Sequence, residues 1–441
     1  MITNENFNGY IYIDEQQHCC SITNQLVKIF YREVGEHDVE KKSIESKLVI
    51  DDFLYFISES KEPLLIRISQ NIEDATNWEL CVAFYTDCII KIEPLSLEKD
   101  LEKDLFFDFI CFNNGAVNVI HAPNVKYNKK TGKISIDVGG NKKVKNNIKM
   151  LKGDVNLEIY SAPKTVTQTG KNTKIDEIIS YVNIEFKQKE SIRELIKYEE
   201  LFRDLCILLV GQQNTTFDTD IVLCDDSDNK CYAKVKFFYN YEDFCNKKFT
   251  NVIPLGKLLN KLSLVFEILN SDKERPYLDF LIDTNKNKNL ITFDSLCYLL
   301  TSLEKEYDLI AAKKAKIKLV NELNRTIDDY LKKHPQRITL AENAKATVSH
   351  ITLPLRDRIM WLFKKYKTKF PTYLYYSDLD IDKVQSFVKC RNAVQHAGIK
   401  KWNTDISNYY NTLRRLVYFA FFDRIGIKGK TIDYIIYQLF S

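Results

Sequence analysis

The sequence predicts an α+β protein, with a strand-rich, sandwich-like region over residues 1–270 followed by an all-helical bundle over residues 285–441. Three observations carry that reading. Through the first ~250 residues the apolar side chains fall in short runs rich in aromatic and β-branched types, separated by polar breaks. From about residue 254 they recur instead at three- and four-residue steps over long spans. Between the two regimes, "NSDKERPYLDFLIDTNKNKN" is polar and helix-poor, which puts a boundary near residues 270–290.

The strand regime opens with "GYIYI", "QLVKIFYREV", "KLVIDDFLYFIS", "PLLIRISQ", "WELCVAFY" and "CIIKIEPL". Repeated short strands of this kind suit a sandwich or an open barrel. "KYNKKTGKISIDVGG" reads as a hairpin with Thr131-Gly132 at its tip. "YVNIEFKQ" is a strand, and the helix after it carries Ile192, Leu195, Ile196, Leu201 and Leu205 at helical spacing. Ser191 is placed to cap that helix and Gly211 to end it. "DIVLC" and "CYAKVKFFYN" supply further strands.

The helical regime begins at "VIPLGKLLNKLSLVFEILNSD" and runs to the end. "ITFDSLCYLLTSLEKEYDLIAAKKAKIKLVNELNRTIDDYLKK" predicts one long helical span, and "LPLRDRIMWLFKKY" a shorter helix with Pro354 in its first turn. "DLDIDKVQSFVKCRNAVQHAG" is opened by Asp378 or Asp380 and stopped by Gly398. "ISNYYNTLRRLVYFAFFDRIGI" and "TIDYIIYQLF" complete a bundle with short links.

Composition narrows the function. A chain of 441 residues has room for two or three cored domains, and 45% hydrophobic with 28% charged residues is the balance of a globular protein. No apolar run approaches the ~20 residues of a membrane span. "MITNENFNGYIYIDEQQ" lacks the basic start and apolar core of a secretory signal, so a cytoplasmic protein with no membrane partner is expected. The 11 cysteines are odd in number and scattered, and none shows zinc-ligand spacing. His18 beside Cys19 and Cys20 fits a strand edge better than a metal site, so free thiols, no metal and no cofactor are expected. Glycine is scarce at 13, and no phosphate-cradling G-x-x-x-x-G-K-[ST] pattern occurs, which removes ATP hydrolysis. The net charge of +4 conceals an asymmetry: residues 291–441 hold 26 Lys and Arg against 15 Asp and Glu, whereas the preceding residues hold 38 against 45. The carboxy-terminal third is thus the part suited to a polyanion such as RNA, although charged helices are also basic by chance.

Within that third, "SFVKCRNAVQHAGIKKWN" gathers Arg391, Asn392 and His396 near a helix end. Val384, Phe387, Val388 and Val394 form the apolar face, and Arg391 lies three residues after Val388, beside that stripe. An arginine there must snorkel, pair or bind an anion. His396 is about 140° further round an ideal helix, so the two reach one ligand only through the length of arginine and the ending of the helix. A helix carboxy terminus also favours a protonated imidazole.

The arginine, a polar residue and the histidine in "RNAVQH" resemble the active-site motif of the HEPN ribonucleases. "LITFDSLCYLLTSLEKEYD" looks like the first long helix of the ApeA-type HEPN subfamily, with Glu304 at its acidic position. "LPLRDRIMWLFKKY" is similar to its L-x-x-R-I helix, "NTLRRLVYFAFFDRIGI" to its closing helix, and "VNIEFKQKESIRELIKYEELFRDLCILLVGQQ" to its amino-terminal domain. The resemblance covers most of residues 180–441; the first 150 share only strand-rich character and the opening "GYIYI". It implies a metal-independent endoribonuclease that cuts host RNA, typically tRNA, in abortive infection against phage. It further implies Arg391, His396 and Asn392 at the reacting phosphate and a homodimer that brings two motifs together. Glu304 either orients Arg391 or caps the polar face of the bundle. Lys389, Lys400, Lys401 and Trp402 either hold RNA phosphates and stack a base or form a solvated basic surface. The strand-rich region is then a sensor for a phage-derived trigger. Two other readings stand beside this one: a non-catalytic module binding nucleic acid or protein, and a carbohydrate- or peptide-binding strand domain with a helical dimerisation tail, suggested by the aromatic-rich strands.

Overall fold

The computed structural model describes residues 7–13, 16–23, 25–30, 44–46, 48–50, 52–61, 63–71, 81–92, 105–121, 124–128, 133–137, 144–151, 153–169, 172–213, 215–224, 230–237, 251–272, 276–281, 291–349, 353–370, 379–397 and 404–440. The protein is α+β, with a large antiparallel sheet and a helical bundle. It divides into two compact units: residues 1–207, 214–249 and 254–271 in the first, and 208–213, 250–253 and 272–441 in the second.

In the first unit the early strands are β1 (Phe7–Ile13), β2 (Gln16–Thr23), β3 (Leu26–Phe30), β4 (Phe53–Ser58), β5 (Pro63–Arg67), β6 (Gln70–Asn71), β7 (Cys81–Tyr85) and β8 (Cys88–Ile92). They run in the order β8-β5-β4-β1-β2-β3-β7-β6, all antiparallel. Only Ile68 and Ser69 separate β5 from β6, and only Thr86 and Asp87 separate β7 from β8. Because β5 pairs with β8 while β6 pairs with β7, the run must curl until its ends meet. A curl of this kind leaves few open strand edges. The expected sandwich-like layering takes this form, with Ile11, Val27, Ile29, Phe56, Leu64, Ile66 and Phe84 fully buried in one shared core. A 2.5 Å ion pair between Arg67 and Asp87 fixes the corner.

The later strands are β9 (Phe106–Asn113), β10 (Asn124–Asn128), β11 (Lys133–Asp137), β12 (Val144–Met150), β13 (Gly153–Thr169), β14 (Asn172–Ser191), β15 (Asp218–Cys224) and β16 (Lys230–Phe237). They extend the same ladder as β12-β13-β14-β9-β15-β16-β8, while β10 and β11 pair separately as the expected hairpin. Its Thr131-Gly132 tip lies outside the described residues. A short helix α1 (Gly115–Ile120) follows β9, and α2 (Leu195–Val210) follows β14. Ser191 accepts the Arg193 N–H at 3.4 Å. Residues of α2 pack under the sheet, where Phe202 stacks on Phe112 at 4.0 Å and Tyr198 meets Phe107 edge-on at 6.0 Å. Strand alternation sends Val155, Leu157, Ile159, Val182 and Ile184 to the same side. Helix α3 (Leu262–Ser271) lies along β12, with the Lys149 N–H donating to Ser263 Oγ at 3.0 Å.

In the second unit Gly211 ends α2 with a φ of +71°, a conformation that glycine adopts without strain. A Cβ there would meet the Leu439 side chain at 3.0 Å. The helices that follow are α4 (Pro276–Asp279), α5 (Phe293–Tyr307), α6 (Lys313–Lys333), α7 (Ile338–Ser349), α8 (Leu355–Tyr366), α9 (Ile381–Ala397), α10 (Thr404–Arg424) and α11 (Lys430–Leu439). Thr292 and Ser295 form a reciprocal capping box at the start of α5. Leu296, Leu299, Leu300 and Leu303 are fully buried and seat α5 against α8, α9 and α10. The long helical span expected over α5 and α6 is present, interrupted by one wider π turn at Asp308–Ala312. On α10, Arg415 is buried and its Nε and Nη2 donate to the carbonyls of Tyr437 (3.2 Å) and Phe440 (3.0 Å), closing the last turn of α11.

One buried carboxyl gives the bundle a pH dependence. Glu306 on α5 is fully buried, and its Oε1 accepts from Arg424 Nη2 at 2.8 Å. Its Oε2 has no hydrogen-bond partner among the described residues. Burial raises the Glu306 carboxyl to about 7, against the opposing pull of Arg424. A carboxyl raised on folding favours the fold while protonated, so this stabilisation is complete below the ordinary carboxylate range and is lost as pH rises through 7. Thermal melts between pH 5 and 8 are expected to show stability falling by ~2 kcal/mol in the native chain. Glu306→Gln should flatten that slope.

Candidate functional site

Helix α9 is fixed at both its start and its face. The Asp380 carboxylate accepts the Lys383 N–H at 2.8 Å, an N-cap that holds its carboxyl below the usual range. Of the two openings the sequence allowed, Asp380 is used here, and Asp378 lies outside the described residues. Val384 and Phe387 are fully buried, with Val388 and Cys390 nearly so. That orientation brings Arg391 to the seam with α5. Its side chain is 19% exposed, with Nη2 3.5 Å from Thr301 Oγ1 and 3.8 Å from Glu304 Oε2. Both contacts are longer than a well-made N–H···O bond, so the guanidinium is placed but loosely engaged.

Glu304 faces a second arginine. Its Oε1 lies 3.2 Å from Nη1 of Arg358 on α8. Arg358 is nearly buried, and the same Nη1 lies 3.0 Å from Asp308 Oδ2, while Nε donates to the Leu353 carbonyl at 2.7 Å. The Tyr307 ring lies 5.8 Å from the Arg358 guanidinium carbon. The result is a chain of alternating charge, Arg391, Glu304, Arg358 and Asp308, across α9, α5, α8 and the π turn. Glu304 therefore lies between the two arginines, nearer to Arg358 than to Arg391.

The remaining sequence-derived residues divide by position. Asn392 and Lys389 are exposed and three residues apart on α9, so they share one side of the helix. His396 occupies the last turn of α9, four residues after Asn392, which makes its backbone position a neighbour of Asn392. The His396 side chain lies outside the described residues, as do Lys400, Lys401 and Trp402. His121 and His334 are elsewhere: His121 follows α1, where burial lowers its pKa, and His334 packs on Tyr330 at 4.7 Å. Among the described residues no group of three or more His, Cys, Asp and Glu is placed to hold a metal ion. Most described cysteines are buried, and burial raises the Cys20 and Cys111 thiols to about 12.

No protein-family model matches the chain, and no curated protein or solved structure matches it. The HEPN resemblance accordingly rests on the motifs themselves.

Arg358 and Asp308 received no role from the sequence. The signal for Arg358 was present: it is the arginine of the L-x-x-R-I motif, with the buried Ile359 and Leu362 one and four residues further on. Its partners lie about 50 residues away along the chain, beyond any local pattern. Arg358→Ala is expected to destabilise the chain by about 2–3 kcal/mol in urea titrations, because two part-exposed carboxylates lose their shared cation. Arg358→Lys should recover less than half, since one ammonium cannot replace a fork that reaches three acceptors.

Proposed function

We propose that the chain is a metal-independent endoribonuclease of the HEPN type that cuts host RNA, typically tRNA, as a cytoplasmic abortive-infection defence against phage. The observation that carries this reading is the state of Arg391. It stands at the α5–α9 seam with two long contacts and an adjacent carboxylate, five residues before His396 and beside the exposed Asn392. A guanidinium so placed has donors to spare for the non-bridging oxygens of a phosphodiester. The basic excess of residues 291–441 and the motifs resembling ApeA-type HEPN proteins point the same way.

The chemistry follows from the groups. The ribose 2′-oxygen attacks the adjacent phosphorus, the bond from phosphorus to the 5′-oxygen breaks, and the products are a 2′,3′-cyclic phosphate and a 5′-hydroxyl. One imidazole accepts the 2′-hydroxyl proton while another protonates the departing 5′-oxygen. Each chain supplies one candidate, His396, so the complete site takes two copies with their α9 helices facing. Arg391 neutralises the phosphoryl oxygens as charge builds on them, and Asn392 orients one of them or the ribose. Glu304 is a positioning residue that acts through Arg391 and is itself held by Arg358. Lys389, Lys400, Lys401 and Trp402 hold the flanking RNA. The strand-rich region is the regulatory part that meets a phage-derived trigger. No described helix is long and apolar enough to cross a membrane.

Purified chain is expected to cut bulk tRNA in the presence of a chelator, leaving cyclic phosphate ends. Arg391→Ala and His396→Ala should each lower the rate at least ~100-fold. Glu304→Gln should cost roughly tenfold, with most of the loss in kcat. RNA that is bound yet left intact by the native chain would favour the non-catalytic module instead. Full cleavage by a protein that stays monomeric at micromolar concentration would contradict the paired site.

A further inference from the structure

The strand unit carries a cleft of about 500 Å³ lined by residues of β9, β12, β13 and β14. Strand register explains its contents. Asn147, Asn156, Glu185 and Phe109 stand directly opposite one another across β12, β13, β14 and β9. A second row beside it aligns Lys145, Glu158 and Asn183, and a third pairs Tyr160 with Tyr181. These are the residues that alternate with Leu157, Ile159, Val182 and Ile184, whose side chains fill the core.

The chemistry of this surface differs from that of the α9 site. Its one cation, Lys145, lies 3.6 Å from Glu158, and Glu185 leaves the cleft with a net negative charge, unsuited to a polyanion. What it offers is carboxamides, each both donor and acceptor, and carboxylates that accept. Asn183 is the telling member. Its Nδ2 reaches the Tyr160 hydroxyl only at 3.5 Å, and its Oδ1 is buried without a hydrogen-bond partner among the described residues. An orphaned buried acceptor costs about 1–3 kcal/mol, which turning the carboxamide out to a ligand hydroxyl in the cleft would remove. The Tyr160 and Tyr181 rings stack at 5.0 Å and 17°, and Phe109 lines the cleft, so apolar surface lies beside the polar groups. Groups that alternately donate and accept, carried on a body with an apolar C–H face, describe a pyranose.

We infer that this cleft binds a neutral oligosaccharide, with Asn183, Asn156 and Glu158 taking its hydroxyls and Phe109 taking its C–H face. The site is separate from the proposed nuclease and does not depend on it.

The test is titration calorimetry and saturation-transfer NMR on the full chain with maltohexaose, cellohexaose, mannohexaose and hexa-N-acetylchitohexaose as probes. At least one probe should bind with millimolar affinity or better. Asn183→Ala should weaken it about tenfold, and Asn156→Ala several-fold. Asn156 is exposed and its one hydrogen bond is a long 3.4 Å contact to Glu185, so its replacement leaves the fold intact even where Asn183→Ala does not. Arg391→Ala should bind the sugar as the native chain does. Failure of all four probes would overturn the inference. So would binding that both asparagine variants leave unchanged, or displacement of the bound sugar by an RNA oligonucleotide.

Discussion

Glu304 stands between two guanidiniums, 3.2 Å from Arg358 and 3.8 Å from Arg391, and much of the helical unit serves to keep it there. The buried leucine row of α5 turns Thr301 and Glu304 toward α9, and the buried Val384 and Phe387 of α9 turn Arg391 toward α5. Arg358, itself tied to Asp308 and to a backbone carbonyl, prevents Glu304 from pairing fully with Arg391. A carboxylate given wholly to Arg391 would satisfy it and leave little for a phosphate. One shared with a tighter partner leaves more of the Arg391 charge uncompensated.

How much of this was legible in the sequence depends on the reach of each interaction. Asp380, Ser191 and Gly211 act on backbone groups within a few residues, so their roles as caps and stop could be read directly. The apolar periodicities of α5 and α9 likewise specify which face is buried. The pairing of Arg391 with Glu304 spans nearly 90 residues and was approached only through family resemblance. Arg358 illustrates the limit: its motif was visible, but the Asp308 partner depends on a π turn that no periodicity announces. The curl of β1 to β8 was out of reach for the same reason, since it follows from β5 and β6 taking different partners.

The two units pose opposite electrostatic problems. The residues around α9 leave a cation incompletely compensated, a surface suited to a phosphate backbone whose affinity falls with salt. The strand cleft presents carboxamides and carboxylates with a net negative charge, a surface suited to hydroxyls and indifferent to salt. Neither property appears in the overall charge of +4. Both emerge only when sheet register and helix packing decide which side chains stand together.

If the loosely engaged Arg391 is the phosphate contact, RNA bound to the chain must place a phosphate on it. A crystal structure of the full chain with a tRNA-derived RNA made uncleavable by 2′-deoxy substitution tests it most directly. A backbone phosphate should lie about 3 Å from the Arg391 guanidinium, with the His396 imidazoles of two chains on either side of that phosphorus. RNA lying elsewhere on the chain, with Arg391 still directed only at Thr301 and Glu304, would contradict it.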